Sequence, residues 1–133
     1  MDQDHVWDSE ILLRRIPPGS PWFEPPDRIA SFNFKLKPRE MGLSVYRERI
    51  VSRQEVLEMP QAIPGSLLAW ATAGEIRALK NAAGQPLDLD VIAVADERDP
   101  GHAEIRGPES GKLSTSAAKA LNKLFRLVGP LGT

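Results

Sequence analysis

The sequence predicts an α+β fold, in which a mixed, mostly antiparallel sheet is covered on one face by two or three helices. Short apolar runs recur along the chain, and some of them alternate with polar residues as half-buried strands do. A hydrophobic stripe at helical spacing marks residues 116–128. The length of 133 residues predicts a single domain that spans the whole chain.

The N-terminal half predicts three strands and a proline-rich loop. Residues 11–16 form an apolar run that ends at two prolines, which is typical of a strand. Residues 31–37 and 43–47 alternate in polarity and predict an antiparallel hairpin. Five prolines between residues 17 and 27 fix φ and exclude a regular ladder there. Trp22 and Phe23 in this loop either complete the core or bind a partner.

The C-terminal half alternates helices and strands. Ser52 and Glu55 predict a capping box that begins a short helix. Residues 67–71 predict a strand, and residues 73–80 predict a helix that ends near Gly84. Two further strands are expected in the last third of the chain, at residues 91–95 and 102–105. The final helix is expected to run from Ser116 to Val128, because Gly129 and Pro130 stop it.

The apolar positions of these elements predict the core. It comprises Leu12, Phe32, Phe34, Leu43, Val45, Trp70, Ile76, Leu79, Val91, Ile92, Val94, Ile105, Leu121, Leu124, Phe125 and Val128.

Composition narrows the classes of function. The net charge of −1 argues against a nucleic-acid binder, and no apolar run reaches the ~20 residues of a membrane helix. The sequence has no cysteine and two histidines, which argues against thiolate and multi-histidine metal sites. We therefore expect a cytoplasmic protein with neither metal nor cofactor.

Two stretches carry a resemblance. Gly42-Leu43-Ser44-Val45-Tyr46-Arg47 follows a phenylalanine-containing strand, and His102-Ala103-Glu104-Ile105 forms a late one. In these features the chain resembles a group of small uncharacterised bacterial proteins, over roughly half of its length. The resemblance implies a bacterial source and a shared core, and it implies no activity.

His102 is the candidate for acid–base catalysis. Imidazole is the side chain most often used as a general base, and Glu104 lies on the same strand face, where it could orient the ring. The alternative is a structural histidine that caps a turn. Ser44 lacks the second glycine of a nucleophile elbow, so we interpret it as a serine on the polar face of a strand.

Arg15, Arg28, Arg47 and Arg49 are expected around the N-terminal sheet, where guanidinium groups bind carboxylates or phosphates. With Tyr46 and Trp22 they predict an anion or nucleotide pocket. The alternative is ion pairing with glutamates, among them Glu10. The loop from Gly107 to Ser114 fails the phosphate-loop pattern, and the basic stripe of the last helix is ordinary for a solvated face.

Two classes of function follow. The first is a non-enzymatic protein-binding or adaptor module, whose partner is a product of the same operon or a second copy of the chain. Trp22, Phe23, Tyr46, Arg15 and Arg47 are its predicted binding residues. The alternative is a small hydrolase or nucleotide-using transferase, with His102 as general acid or base and arginines that hold an anionic group.

Overall fold

The computed structural model describes residues 5–18, 23–24, 28–36, 42–95, 97, 99–108 and 112–128. The strands are β1 (Ile11–Ile16), β2 (Phe23–Glu24), β3 (Arg28–Ile29), β4 (Leu43–Arg47), β5 (Leu67–Thr72), β6 (Asp90–Ala93), β7 (His102–Arg106) and β8 (Arg126–Leu127). The helices are α1 (Arg53–Leu57), α2 (Ala73–Arg77), α3 (Thr115–Leu124) and a 3-10 helix (Ser31–Phe34).

Six strands form an open sheet in the order β6-β7-β4-β1-β5-β8, and every pairing between these neighbours is antiparallel. Strands β2 and β3 pair separately. The α+β prediction is confirmed, as are the predicted strands at positions 11–16, 43–47, 67–71, 91–95 and 102–105, with small shifts of their ends.

The sheet has a buried face and a second, mixed face. We call the first face A. It carries Leu12, Val45, Ala71 and Ile105, which pack with α2, α3 and the 3-10 helix into the larger core cluster. We call the opposite side face B, and there the register places Leu13, Tyr46 and Trp70 side by side.

Helix α1 packs on face B, so the prediction that the helices lie on one face is wrong. Val56 of α1 is buried against Leu13, Tyr46 and Leu68 in a second, smaller core cluster. The capping box that begins α1 is confirmed: the Ser52 hydroxyl accepts from the Glu55 N–H, and the Glu55 carboxylate accepts from the Ser52 N–H.

The predicted strand at residues 31–37 is wrong, and so is its hairpin with β4. Both edges of β4 are already paired, with β1 and β7, so the sheet has no place for it. The Asn33 side chain donates to the carbonyl of Ala30, a local bond that competes with a strand ladder. Phe34 is buried from the 3-10 helix instead, with its ring centroid 5.1 Å from that of Phe125.

The last helix is shorter than predicted. It begins one residue earlier and ends at Leu124, because Phe125 takes extended dihedrals and the next two residues pair with β5. Apolar residues at 125 and 127 fit a strand as well as a helix, so hydrophobic periodicity alone predicts a helix that is too long at its C-terminal end. The Arg126 guanidinium lies 4.4 Å from the centre of the Trp70 ring. This contact helps to hold β8, which the sequence pattern did not predict, against β5.

Helix α2 also ends early, at Arg77 rather than near Gly84. The Asn81 side chain accepts hydrogen bonds from the N–H groups of Ala83 and Gln85, and Gly84 supplies a positive φ of 81°. A turn therefore replaces the final helical turns, since asparagine and glycine favour this geometry.

Most of the predicted core is buried. The buried members are Leu12, Phe34, Leu43, Val45, Ile76, Val91, Ile105, Leu121 and Phe125, and the half-buried ones are Trp70, Leu79, Val94, Leu124 and Val128. The Phe32 side chain lies outside the described part of the structure. Ile92 contradicts the prediction, because it belongs to face B at an edge strand and is 38% exposed.

Candidate functional site

A buried ion pair fixes the segment that precedes β1. The Arg47 guanidinium on face A makes two hydrogen bonds of 2.7 Å to the Glu10 carboxylate, and it also donates to the carbonyl of His5. Burial by itself would raise the pKa of Glu10, but the bonds from Arg47 and from the Trp7 N–H, with the charges of Arg47 and Arg49, outweigh it and lower that pKa.

This anchoring immobilises the backbone of Trp7 while leaving its ring in solvent. The Trp7 N–H donates to the Glu10 carboxylate at 2.9 Å, and the Trp7 carbonyl accepts from the Glu10 N–H at 3.0 Å. Val6 beside it is buried, whereas Trp7 is 47% exposed. The His5 ring meets the indole edge-to-face, with the centroids 4.4 Å apart. The tryptophan is therefore presented on a stiff support.

An open cleft of about 800 Å³ lies on one side of Trp7, with Ile92 among the residues that line it. Arg77 also lines this cleft and is held between Asp8 at 2.7 Å and Asp90 at 2.8 Å. Partial burial would lower the pKa of Arg77, but the bonds to Asp90 and Asp8 outweigh it and raise that pKa. The cleft thus combines two exposed apolar side chains with a fixed cation between two carboxylates.

A second cleft, of about 300 Å³, also has Trp7 in its lining. It is lined by Trp7, Ser9, Glu10, Ile11, Glu48 and Arg49. Because both clefts share Trp7, the ring forms a ridge between two concave surfaces, and we call this region the Trp7 ridge.

The edge strand β6 borders the first cleft, and its outward peptide groups at Val91 are occupied. The Val94 N–H donates to His102, and hydrogen-bonded pairs alternate along an antiparallel ladder, so the peptide groups of Val91 point away from β7. The Val91 N–H donates to the Asp90 carboxylate at 2.8 Å, and the Val91 carbonyl accepts from Arg77 at 3.1 Å. Side chains thus take the place of a neighbouring strand.

Polar side chains meet on face B, where β4 pairs with β7. The His102 Nε2 atom lies 3.0 Å from the Ser44 hydroxyl oxygen, and the Tyr46 ring centroid lies 5.8 Å from that of His102. The register pairs Tyr46 with His102 and Ser44 with Glu104, so all four side chains share this face. We call these four residues the face B cluster.

Glu104 and Arg106 neutralise each other at one end of the face B cluster, with 2.8 Å between the guanidinium and the carboxylate. Gly42 lies against this pair. A Cβ atom there would come within 2.9 Å of both side chains, so glycine is required for their close approach. The Glu104 carboxylate therefore accepts hydrogen bonds from Arg106, and the His102 Nε2 atom pairs with the Ser44 hydroxyl instead.

Arg15 borders the face B cluster on the side of α1. Its guanidinium carbon lies 5.0 Å from the centre of the Tyr46 ring, and one nitrogen lies 3.4 Å from the Tyr46 hydroxyl. The other terminal nitrogen donates to the Val56 carbonyl at 3.1 Å. Arg15 thus ties α1 to the sheet and places a positive charge beside the cluster.

The structure brings together four of the predicted site residues, which are Arg15, Tyr46, His102 and Glu104. Arg47 lies apart from them on face A, so it does not share a pocket with Arg15. Trp22 lies outside the described residues, and Phe23 is described only through the backbone of β2.

Sequence reasoning missed the Trp7 ridge. The available signal in the sequence is a single tryptophan in a polar segment just before the first strand. Arg77 and Ile92 reach it from distant elements, and only the topology shows their proximity.

Comparisons with known proteins add no name to these features. No family model matches the chain, and neither the curated proteins nor the solved structures give a match. The resemblance to small bacterial proteins therefore stays a prediction. Among the described residues, no helix is long and apolar enough to cross a membrane, and no group of three acidic or histidine side chains is placed to hold a metal ion.

Proposed function

We propose that this protein is a binding module that recognises another protein through the Trp7 ridge. The observation that carries the proposal is the half-exposed indole of Trp7, whose backbone is fixed on both sides by Glu10. Tryptophan is enriched among the residues that dominate binding energies. A residue whose backbone is already held in place loses less conformational entropy when a partner covers its side chain.

The expected mode is insertion of a partner side chain rather than addition of a strand. Strand addition to β6 would require the peptide groups of Val91, which Asp90 and Arg77 already occupy. The first cleft instead has the exposed side chains of Trp7 and Ile92 in its lining, against which a large apolar side chain of the partner can pack.

The charges around the first cleft indicate which kind of partner residue would flank the inserted side chain. Asp8 and Asp90 have carboxylates that are 75% and 60% exposed, whereas the Arg77 side chain between them is 22% exposed. The outer rim of the cleft is therefore acidic. A partner segment with an apolar residue next to a lysine or arginine fits it best.

Site-specific photocrosslinking tests the proposal. A benzophenone amino acid is placed at position 7, and in a matched protein at position 63, because Ile63 is 48% exposed and lies outside both clefts of the ridge. Both proteins are expressed in the native cells and irradiated, and the adducts are identified by mass spectrometry. We expect a discrete adduct from position 7, either with another protein or with a second copy of this chain.

The purified partner then gives the quantitative test. Trp7→Ala should weaken binding by ~2 kcal/mol or more, about thirtyfold in Kd, while its unfolding curve stays close to wild type. Ile63→Ser is the control and should leave Kd unchanged. Equal adducts from both positions, or an unchanged Kd in Trp7→Ala, would contradict the proposal.

The 3.0 Å approach of Ser44 to His102 favours a second candidate, a small hydrolase. In it, His102 Nε2 takes the proton from the Ser44 hydroxyl as that oxygen attacks an ester or amide carbonyl, and later returns it to the leaving group. Arg15 beside Tyr46 would attract an anionic substrate group.

A fluorophosphonate probe, which reacts with activated serines, tests the second candidate. Wild type should be labelled at Ser44, whereas Ser44→Ala and His102→Gln should lose labelling and keep their melting temperatures. Thr72→Ser serves as the control for a serine elsewhere on the sheet. An unlabelled wild-type protein, or labelling that persists in His102→Gln, would rule out the Ser44–His102 pair as a nucleophilic centre.

A further inference from the structure

Three lysines line a groove between α3 and the turn that follows α2, and we call it the α2–α3 groove. It has a volume of about 520 Å³ and is lined by Leu79, Lys80, Asn81, Ala82, Ser116, Lys119, Ala120, Lys123 and Leu124. No acidic side chain is among these described lining residues, although the whole chain has a net charge of −1. The groove is thus a local positive region on a weakly acidic protein.

The three lysines differ from most of the described arginines. Arg47, Arg53, Arg77, Arg106 and Arg126 all contact carboxylates. Lys80, Lys119 and Lys123 are exposed, and within the described part of the chain none of them forms an ion pair or a side-chain hydrogen bond. Three ammonium groups around one groove repel one another, and a bound anion relieves that repulsion.

Apolar groups form the wall between the lysines. Leu79 in the turn after α2 and Leu124 at the end of α3 are both half-buried, and the short side chains of Ala82 and Ala120 complete the apolar lining. A volume of this size lies within the range of small-molecule sites, which are mainly apolar with a few polar groups that fix orientation.

From this combination we propose that the α2–α3 groove binds an organic carboxylate with an aliphatic body, about the size of a medium-chain fatty acid. The lysines hold the carboxylate, and the chain lies along Leu79 and Leu124. The groove is separate from the Trp7 ridge and from the face B cluster, because its lining shares no residue with either.

Calorimetric titration of the purified chain tests the proposal with three probes, which are decanoate below its micellar concentration, decanol and inorganic phosphate. Decanoate should bind, with an affinity that falls as salt is added. Decanol and phosphate should bind at least about tenfold more weakly, because each supplies only one of the two contacts. Equal affinity for decanol would overturn the ionic role, and equal affinity for phosphate the apolar one.

Substitutions locate the site. Each of Lys80→Gln, Lys119→Gln and Lys123→Gln should weaken decanoate binding about two- to fivefold, and the triple variant about tenfold or more. Lys35→Gln and Lys112→Gln make the same charge change at exposed positions outside the groove and should leave binding unchanged.

Ser116→Glu gives an independent test, because it adds a negative charge to the groove in the first turn of α3, where a carboxylate suits the helix end. Its thermal unfolding should match wild type, and its decanoate affinity should fall at least about fivefold. Undiminished binding in either Ser116→Glu or the triple lysine variant would overturn the assignment.

Discussion

At the scale of single residues, the Glu10–Arg47 ion pair holds the segment that precedes β1 in place. Both side chains are almost completely buried, at 4% and 1% exposure. A buried ion pair contributes little over a well-packed apolar pair, because desolvation offsets its attraction. Removing one partner is different, since it leaves the other charge buried without its main partner. The pair thus makes the position of the N-terminal segment specific.

We expect Glu10→Met and Arg47→Met each to lower the free energy of unfolding by about 3–5 kcal/mol. The double variant should lose clearly less than the sum, because no uncompensated charge remains. Chemical denaturation of the four proteins measures this coupling. Strictly additive losses would mean that the two residues act independently.

Glu75 gives a prediction for acid stability. Hydrogen bonds from Arg126 and from the Thr72 N–H lower its pKa from 4.5 to about 2. A carboxylate with a lowered pKa in the folded state contributes stability that is fully present above its unfolded pKa. That contribution is lost as the pH falls from about 4.5 towards about 2. The partner, Arg126, stays protonated throughout.

Glu75→Gln should therefore have a flatter dependence of unfolding free energy on pH than wild type between pH 4.5 and pH 2. Glu58→Gln is the control, because Glu58 is exposed and its backbone caps α1 without an arginine partner. Denaturation curves at several pH values show the difference. Parallel profiles for wild type and Glu75→Gln would exclude a contribution from Glu75.

At the scale of elements, the stability of α3 depends on its packing against the sheet. Ala117, Ala118 and Leu121 are buried on face A, and the Ser114 hydroxyl caps the first turn. Ten residues of helix are marginal by themselves, so tertiary packing must stabilise it. Leu121 is completely buried and Leu124 only half-buried, so we expect Leu121 to contribute more to the stability of the fold.

Leu121→Ala should lower the free energy of unfolding by about 3–5 kcal/mol. Leu124→Ala should lower it by about 1–2 kcal/mol, because the half-buried Leu124 side chain has less buried apolar surface to lose. Urea denaturation monitored by circular dichroism measures both. A loss below about 1 kcal/mol in Leu121→Ala would mean that α3 is dispensable for the folded state.

Local patterns predicted the elements better than their ends. The capping box at Ser52 and the strand at Leu43–Arg47 depend on neighbours in the sequence, and both were predicted. Residues 31–37 alternate as a strand does, yet the sheet had no free edge beside β4. The end of α3 depends on pairing with β5, which lies far away in the sequence. Tertiary contacts, invisible to periodicity, decided these two cases.

At the scale of the whole molecule, topology decides which residues form a site. His102 and Tyr46 were singled out separately, and the β4–β7 register places them side by side. Arg15 and Arg47 were expected together, and the alternation of side chains along strands puts them on opposite faces. A candidate site can be predicted residue by residue, but its assembly requires the strand order.

Arg77 also bears on how the protein behaves in concentrated solution. An open strand edge is a template for pairing with another molecule, and uncontrolled pairing leads to aggregation. Because the Arg77 guanidinium already donates to the Val91 carbonyl, we expect it to hinder such pairing at β6. Arg77→Ala should therefore aggregate faster on storage, as followed by light scattering, whereas Arg53→Ala, which removes an exposed salt bridge far from β6, should not. If both variants stay in solution for as long as wild type, the edge is protected by other means; if only Arg77→Ala precipitates, one side chain keeps neighbouring molecules apart.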